Sequence, residues 1–434
     1  MGFYITLFYL ALLILSPAAV VPEFAAYRLQ WWFGGLALLG TVAVIPIHGY
    51  PVRNLQVTLM ALFVGQIAMS RIMRGWFGGA VFALIEFGST AIVFFLLITG
   101  PPTIARLRRI SILLVLPALY ACLRGILAVY TGWQAETYIL NQNVLGENWV
   151  VLDVVQRVRF LGYFNDPNDL AQYFLVCLPL IGLLWRKGSI RNVLVVLPMV
   201  LYMLFGMYLT HSRGVLLGLV VLTMMYFAER VNKAFTIFAS AAVAVVLLGL
   251  NFAGGRAISF GSGSDRIEAW GAGLTMLRGN PIFGVGYNLF TDYNPLTAHN
   301  SFVLCFAELG LLGFFLWLGL LVSTVLDLTR FIAKFRTAPG AADLVRWATA
   351  LRIALCGFIV TGWFLSRTYS ILLYVLIAMW VIIERAGQQL APAAQPAIVA
   401  RPANRGWHWA SATVALQVAC LTVVYILVRA RWSN

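Results

Sequence analysis

The chain has 434 residues, of which 62% are hydrophobic by type and only 10% are charged, and its 30 lysines and arginines outnumber its 15 acidic residues. A soluble domain carries about 25% charged residues and a disordered chain carries few apolar ones, so the composition excludes both classes. Apolar stretches of about 20 residues, long enough to cross a bilayer as a helix, recur along nearly the whole sequence. The sequence therefore predicts a polytopic helical membrane protein.

Hydropathy predicts an all-α bundle of about 12–13 transmembrane helices. The first apolar run lacks the basic flank of a signal peptide and is interpreted as an uncleaved span. The thirteen predicted spans are 3–21, 30–47, 55–72, 78–99, 110–130, 168–185, 192–210, 214–229, 234–252, 301–326, 346–365, 370–384 and 410–428.

Basic residues cluster in alternate connections, which the positive-inside rule assigns to the cytoplasm together with the N-terminus. Two longer connections, 131–167 and 253–300, then fall on the opposite face, and loops of this length are usually functional. We expect both to be helical periplasmic loops. The predicted organisation is helices 1–5 in 1–130, a first loop in 131–167, helices 6–9 in 168–252, a second loop carrying the site in 253–300, helices 10–12 in 301–386, a cytoplasmic linker rich in Ala and Pro in 387–409, and a last helix in 410–434.

The first loop runs from Arg159 through Asn165-Asp166-Pro167-Asn168 into the sixth span. Proline suits a first helical turn and Asn or Asp suits its cap, so these residues predict a helix start. Capping alone explains the pattern. The same geometry also suits anion binding, because a helix N-terminus attracts anions and Arg159 lies a few residues upstream to clamp them.

The second loop contains Arg266 and Trp270 at helical spacing, followed by Asn280-Pro281, which ends a helix. We predict a short interfacial helix capped by Ser264. Arg266 could be a surface charge paired with a neighbouring carboxylate, or it could face an anionic substrate.

His299 and Asn300 lie at the mouth of the tenth span, and Glu308 follows inside it. A lone histidine at such a boundary is more often structural than catalytic. A carboxylate within a span is costly unless it is paired or faces a cavity, and Arg352 or Arg124 could pair with Glu308.

These motifs resemble a known family. His299-Asn300, nine further residues and then Gly310-Leu311-Leu312-Gly313 is similar to the H[NSQ]-X9-GXX[GTY] pattern of bacterial O-antigen ligases. Four other stretches look like further signatures of the O-antigen ligase and polymerase superfamily, and the resemblance covers roughly residues 155–315 in the expected order. These stretches are Arg159 to Asn168, Ser212-Arg213-Gly214, Arg266 to Trp270, and Asn280-Pro281 to Gly284-Val285-Gly286.

The resemblance implies a GT-C-type helical fold in the bacterial inner membrane, with an active site that faces the periplasm. Such enzymes transfer a glycan from undecaprenyl diphosphate to an acceptor hydroxyl, without a metal or other cofactor. Carried over by position, Arg159 and Arg266 would hold the donor diphosphate and His299 would act on the acceptor hydroxyl. The remaining assignments are substrate binding by Arg157, Asn168, Arg213, Trp270 and Asn300, and structural roles for Glu308, Gly310 and Gly313.

The implied partners are the lipid-linked glycan donor, a glycan or lipid A core acceptor, and membrane lipids, with no nucleic acid. The five cysteines are never closely spaced, so neither a zinc site nor a disulfide framework is indicated.

Direct displacement by the acceptor hydroxyl would invert the anomeric centre. Besides transfer to lipid A core, a second possible function is that of a polymerase, which joins lipid-linked repeat units. The short stretch of 33 positions from Arg266 to His299 favours the polymerase. A third is a transporter or flippase, which would need charged residues along a path through the membrane.

Overall fold

In the computed structural model, the described residues are 2–43, 50–51, 53–145, 151–228, 231, 233–249, 260–390 and 408–432. The chain is 78% helical, and within these ranges nine helices are long and apolar enough to cross a membrane. This confirms the predicted all-α, polytopic class. The main helices are α1 (Gly2–Leu15), α2 (Leu29–Val42), α3 (Leu55–Ile72), α4 (Phe77–Leu97), α5 (Ile104–Thr131), α6 (Pro167–Gly182), α7 (Leu197–Leu209), α8 (Arg213–Ala228), α9 (Lys233–Gly249), α10 (Phe260–Gly279), α11 (Ser301–Phe335), α12 (Ala342–Gly362), α13 (Ile371–Leu390) and α14 (His408–Trp432).

Each predicted span overlaps one of these helices, and α10 is the predicted interfacial helix. Three apolar helices, α2, α8 and α9, are shorter than the nine long ones, and α6 has 16 residues. Helix α10 begins at Phe260, so Ser264 lies inside it and the predicted cap at Ser264 was wrong. Most of the predicted linker, 391–407, lies outside the described residues.

The connection 131–167 contains an antiparallel hairpin, so the prediction that this loop is helical was wrong. Strands β1 (Ile139–Leu145) and β2 (Val151–Val158) pair with Ile139 opposite Val158 and Leu140 opposite Arg157. Valines occupy four of the eight positions of β2, and β-branched residues favour strands because their side chains pack well on a pleated surface. This valine-rich run is the signal that could have identified the hairpin.

The chain divides into two compact units, each built from separate stretches of sequence. Unit 1 comprises 1–40, 104–257 and 349–361, and contains Arg157, Arg159, Asn168 and Arg213. Unit 2 comprises 41–103, 258–348 and 362–434, and contains Arg266, Trp270, His299, Asn300, Glu308, Gly310 and Gly313.

Unit 1 is organised around α6, which packs on α5, α7 and α8. Buried Gln172 donates to the Phe358 carbonyl (3.2 Å) and to Thr361 Oγ1 (2.8 Å), and the Tyr173 hydroxyl donates to the Leu114 carbonyl. Such buried donors must be paired, since an unpaired one costs about 1–3 kcal/mol. These hydrogen bonds therefore fix α6, and the helix start that follows Arg159, within the unit.

Unit 2 has its most buried helix in α13, where residues 371–383 are all at most 2% exposed. An aromatic cluster packs beside α13, with Phe87 against Tyr374 at 5.3 Å and Tyr287 against Tyr369 at 4.5 Å between ring centroids. Edge-to-face aromatic pairs add about 0.5–1.5 kcal/mol beyond the area they bury. This cluster supports the loop 363–370, which contacts the mouth of α11.

Helix α11 is interrupted at Gly310, whose φ of 68° and ψ of −170° are not helical. This conformation is essentially restricted to glycine. A Cβ at this position would also lie 2.3 Å from the Ile282 carbonyl oxygen, so the close approach of the neighbouring chain excludes a side chain as well. Residues 301–309 and 311–335 are therefore two helical rods that meet at Gly310.

The segment 281–286 supplies the backbone hydrogen bonds that the break removes. It pairs with both sides of Gly310 through Val285 N to Ala307 O (3.0 Å), Gly286 N to Glu308 O (2.9 Å), Leu311 N to Pro281 O (2.8 Å) and Leu312 N to Ile282 O (3.3 Å). Two side chains add hydrogen bonds beside the break: Gln66 donates to the Leu309 carbonyl (2.9 Å) and Gln417 to the Leu311 carbonyl (3.0 Å). Gly313 makes room for Gln66, since a Cβ there would lie 3.2 Å from Gln66 Cγ.

Replacing Gly310 by alanine should therefore lower the free energy of unfolding by about 1–3 kcal/mol for the backbone conformation alone. The contact with the Ile282 carbonyl adds to this cost. The measurement is the thermal unfolding midpoint in detergent. Gly88→Ala in α4 is the matched control, because nothing lies within 4 Å of a Cβ at that position. Equal midpoints for Gly310→Ala and the wild type would contradict this account of the break.

Candidate functional site

His299 lies directly before α11 in the left-handed backbone region, with a φ of 47°, and is half-buried. Asn300 caps the helix: its Oδ1 accepts from the amides of Phe302 (2.9 Å) and Val303 (3.1 Å). Asn300 is 0% exposed, so its cap is shielded from water. The imidazole is therefore attached to a rigid helix mouth.

The loop that precedes α13 fixes this mouth from a second side. The buried Ser301 hydroxyl donates to the Leu365 carbonyl (2.6 Å) and accepts from the Arg367 amide (2.9 Å). Thr368 Oγ1 donates to the Ser301 carbonyl (2.7 Å). Together these bonds hold residues 365–368 close to His299.

Trp270 connects the helix that carries Arg266 to the residue before His299. Its indole Nε1 donates to the Ala298 carbonyl (2.9 Å), and the side chain is 7% exposed. Arg266 lies four residues earlier on α10, about one turn or 6 Å along the axis on the same face. Unit 2 thus holds the helix of Arg266 and Trp270 against the residue that precedes His299.

In unit 1, Arg157 is almost fully engaged by the protein itself. Its guanidinium donates to the Thr210 carbonyl (2.9 Å), to Gln142 Oε1 (3.1 Å) and to Asn168 Oδ1 (2.8 Å), and the residue is 4% exposed. These bonds fasten the hairpin to the start of α6 and to the chain before α8. Arg157 and Asn168 therefore hydrogen-bond to each other in this structure, whereas the sequence had suggested that both contact substrate.

Arg159 follows β2 and is half-buried. Its amide donates to the Tyr138 carbonyl (2.8 Å) and its Nε to the Thr137 carbonyl (3.2 Å), so one edge of the guanidinium is fixed by backbone. The predicted helix start downstream is confirmed: Pro167 opens α6 and Asp166 caps it, accepting from the Asn168 amide at 2.7 Å. Arg213 is the first residue of α8.

Glu308 is 2% exposed, and both of its carboxylate oxygens accept hydrogen bonds. The Phe290 amide donates to Oε1 (3.1 Å) and the Tyr369 hydroxyl to Oε2 (2.6 Å). These are the partners that the structure provides, where the sequence had suggested Arg352 or Arg124. Burial, and then the nearby Glu308 carboxylate, hold the pKa of Tyr369 well above its usual value, so that its hydroxyl stays a donor.

Glu308→Gln should therefore keep most of the activity, because the amide oxygen can accept from Phe290 and the amide nitrogen can donate to the Tyr369 hydroxyl. Glu308→Ala should lower the folded yield in detergent, since it leaves the Phe290 amide buried without a partner, at about 1–3 kcal/mol. Tyr369→Phe is the matched control for the other bond. A Glu308→Gln protein that folds normally but is inactive would assign a direct chemical role to Glu308.

Sequence reasoning missed two features of this region. It did not identify Tyr369, whose role depends on tertiary packing alone. It also gave Gly284 and Gly286 no role, although both have positive φ and a Cβ at Gly284 would lie 2.3 Å from the Glu308 backbone. The glycines allow the segment 281–286 to lie directly against α11.

Residues 198–318, a little over a quarter of the chain, match a family model described as O-antigen ligase. The matched segment contains Arg213, Arg266, Trp270, His299 and Gly310. No curated protein matches the sequence significantly. The match supports the resemblance that the motifs indicated: residues 198–318 of this multi-pass membrane protein are similar to the O-antigen ligase and polymerase superfamily.

Proposed function

We propose that this protein transfers a glycan from undecaprenyl diphosphate to an acceptor hydroxyl at the periplasmic face of the inner membrane. The acceptor that we propose is the lipid A core, as for an O-antigen ligase. The observation that carries the proposal is the bond from Trp270 to the Ala298 carbonyl, because it links the helix of Arg266 to His299. The helix of a cation and the residue before a base are then in direct contact, within a segment that matches the ligase family.

The leaving group accounts for the arginines. Negative charge grows on the diphosphate as the bond between the anomeric carbon and the diphosphate oxygen breaks, and preorganised cations that stabilise such charge are usually the largest catalytic contribution. Guanidinium groups bind phosphate oxygens through two parallel hydrogen bonds. We assign this role to Arg266 in unit 2. In unit 1, the family resemblance assigns the same kind of role to Arg159, whose Nε donates to the Thr137 carbonyl.

His299 is assigned to the acceptor. As the acceptor hydroxyl attacks the anomeric carbon, its proton passes to a ring nitrogen of His299, and the diphosphate leaves with the bonding electrons. Neutral imidazole suits a base at pH 7, because its ordinary pKa is about 6.5. Attack on the side opposite the leaving group inverts the anomeric centre.

The deciding experiment is the glycan phenotype of a strain that lacks the protein, complemented by the wild type or by His299→Ala. We expect polymer attached to lipid A core to disappear in the deletion strain and to return only with the wild type. Single repeat units on lipid A core would instead assign the protein as a polymerase. Cytoplasmic accumulation of lipid-linked units would exclude both enzymes in favour of a flippase.

A further inference from the structure

Arg71 is a buried arginine to which neither the family motifs nor the proposed transfer assigns a role. It lies in the last turn of α3, at the end of a candidate membrane span, and is 7% exposed. Its guanidinium carbon lies 4.8 Å from the centre of the Trp76 ring. Within the described part of the chain, its Nε and Nη1 are buried and have no hydrogen-bond partner, while Nη2 is not among these buried atoms.

The backbone opposite Arg71 leaves space for this side chain. Gly286 has a φ of +117°, and a Cβ at this position would lie 3.2 Å from Arg71 Cδ and 3.6 Å from its Nε. The next amide, that of Tyr287, donates to Ser70 Oγ (3.0 Å). The segment 284–287 is thus held against the end of α3, and glycine at 286 keeps the Nε side of Arg71 uncrowded.

A counter-charge is the simplest alternative role for Arg71, and Glu308 is the candidate, because Arg71 interacts with it electrostatically. The Glu308 oxygens, however, accept from the Phe290 amide and the Tyr369 hydroxyl. Electrostatic balance with Glu308 therefore leaves the Nε and Nη1 groups of Arg71 without hydrogen-bond acceptors among the described residues. Buried charged donors without acceptors are costly, so the arrangement favours an additional anionic acceptor.

A second arginine is oriented at the same end of α3. Arg74 is exposed, but its Nη1 donates to Asn280 Oδ1 (2.8 Å) and its Nη2 to the Tyr293 hydroxyl (3.0 Å). These two bonds already restrict the rotamers of Arg74. Binding a ligand therefore costs this side chain less conformational entropy than it would cost a freely moving arginine. A buried and an exposed guanidinium, three positions apart, form the cationic end of one span.

We propose that Arg71 and Arg74 form an anion site that binds the phosphate or diphosphate group of a membrane lipid. The location at the end of a span suits a ligand whose charge lies at the membrane surface and whose chain lies in the bilayer. Guanidinium groups suit phosphate oxygens because they donate two parallel hydrogen bonds. A site of this kind would let the protein hold a second lipid-borne phosphate in addition to the donor of the proposed transfer.

The test measures the binding of inorganic pyrophosphate to the full-length protein in neutral phosphatidylcholine nanodiscs. All variants carry Arg266→Gln, which weakens the proposed donor site. A loss of pyrophosphate binding can then be assigned to the Arg71 site and not to the donor site. We expect residual saturable binding that Arg71→Gln weakens at least tenfold and Arg74→Gln weakens less. Arg71→Lys, which keeps the charge but not the fork, should also bind more weakly at an unchanged unfolding midpoint. Exposed Arg336→Gln is the matched control and should have no effect.

The counter-charge alternative is tested by adding Glu308→Gln to Arg71→Gln. If Arg71 only balances Glu308, the double substitution restores both the unfolding midpoint and pyrophosphate binding, and the proposal is overturned. If the site binds anions, binding stays weak in the double variant. Unaltered binding in Arg71→Gln would likewise overturn it.

Two competitors then identify the source of the phosphate. Displacement of pyrophosphate by a polyprenyl diphosphate but not by phosphatidylglycerol supports a lipid-linked glycan as the ligand. Displacement by phosphatidylglycerol supports an ordinary phospholipid headgroup. Failure of both lipids to compete would contradict a lipid-borne ligand.

Discussion

His299→Ala should yield a folded, membrane-inserted protein that binds donor but transfers glycan at least about a hundredfold more slowly. A general base contributes typically 10²–10⁴-fold to the rate. The fold should survive, because Asn300 and Ser301 supply hydrogen bonds that fix this helix mouth. The measurement is single-turnover transfer by purified protein, with the unfolding midpoint as the check on folding.

Two further substitutions at this position separate proton transfer from simple positioning. His299→Gln keeps a donor and an acceptor but cannot take the proton, and His299→Asn suits the left-handed backbone, which Asn tolerates better than most residues. Both should be as slow as His299→Ala if the imidazole is the base. Wild-type activity should then decline as the pH falls through the ordinary imidazole range near 6.5. A near-wild-type rate for His299→Gln, with a flat profile between about pH 5 and 8, would leave His299 only a positioning role.

Arg266→Ala should slow transfer on the order of 10²–10³-fold, the typical cost of removing one preorganised group that stabilises developing charge. Arg266→Lys should also be impaired, because an ammonium is a point charge and cannot donate the parallel pair of hydrogen bonds. Assays at saturating donor separate a lower rate from weaker binding. Arg278→Gln is the matched control, since Arg278 is exposed and lies in the last turn of the same helix. Full activity of Arg266→Ala at a normal protein level would exclude the assigned role.

The helices were predictable from the sequence because a bilayer requires each span to be apolar along its length. The strands 139–145 and 151–158 were missed, because hydropathy over a span-length window does not detect short strands of mixed polarity, although the valines of β2 were a local signal. The cap at Asn300 was not predicted, although helix starts prefer Asn, because the resemblance had assigned this residue to substrate binding. The neighbourhood of Arg266 and His299 was reached only through a family resemblance, since no local pattern shows that Trp270 bonds to the Ala298 carbonyl.

The break at Gly310 shows why hydropathy alone could not give the site. Residues 301–326 form one apolar span in which Glu308 is the single charged residue, and glycine is frequent in membrane spans, so Gly310 did not indicate a break. The break is stabilised by residues 281–286 and by Gln66, which are distant from it in sequence. Sequence periodicity describes one helix at a time, whereas this conformation depends on three segments at once.

The interrupted helix also constrains the order in which the chain can mature during synthesis. In lipid, free backbone carbonyls cost several kcal/mol each, so the region around Gly310 cannot settle as an isolated helix that leaves the insertion machinery. Gln66 has already been made when this region emerges, but Gln417, which donates to the Leu311 carbonyl, is 106 residues further on. The partners of the break in residues 281–286 and at Gln66 are therefore available before α14 is made, and Gln417 adds one further hydrogen bond at the end of synthesis. A chain cut before residue 408 would keep the bonds from residues 281–286 and Gln66 and would lose the one from Gln417, so the break can form before the last helix is added.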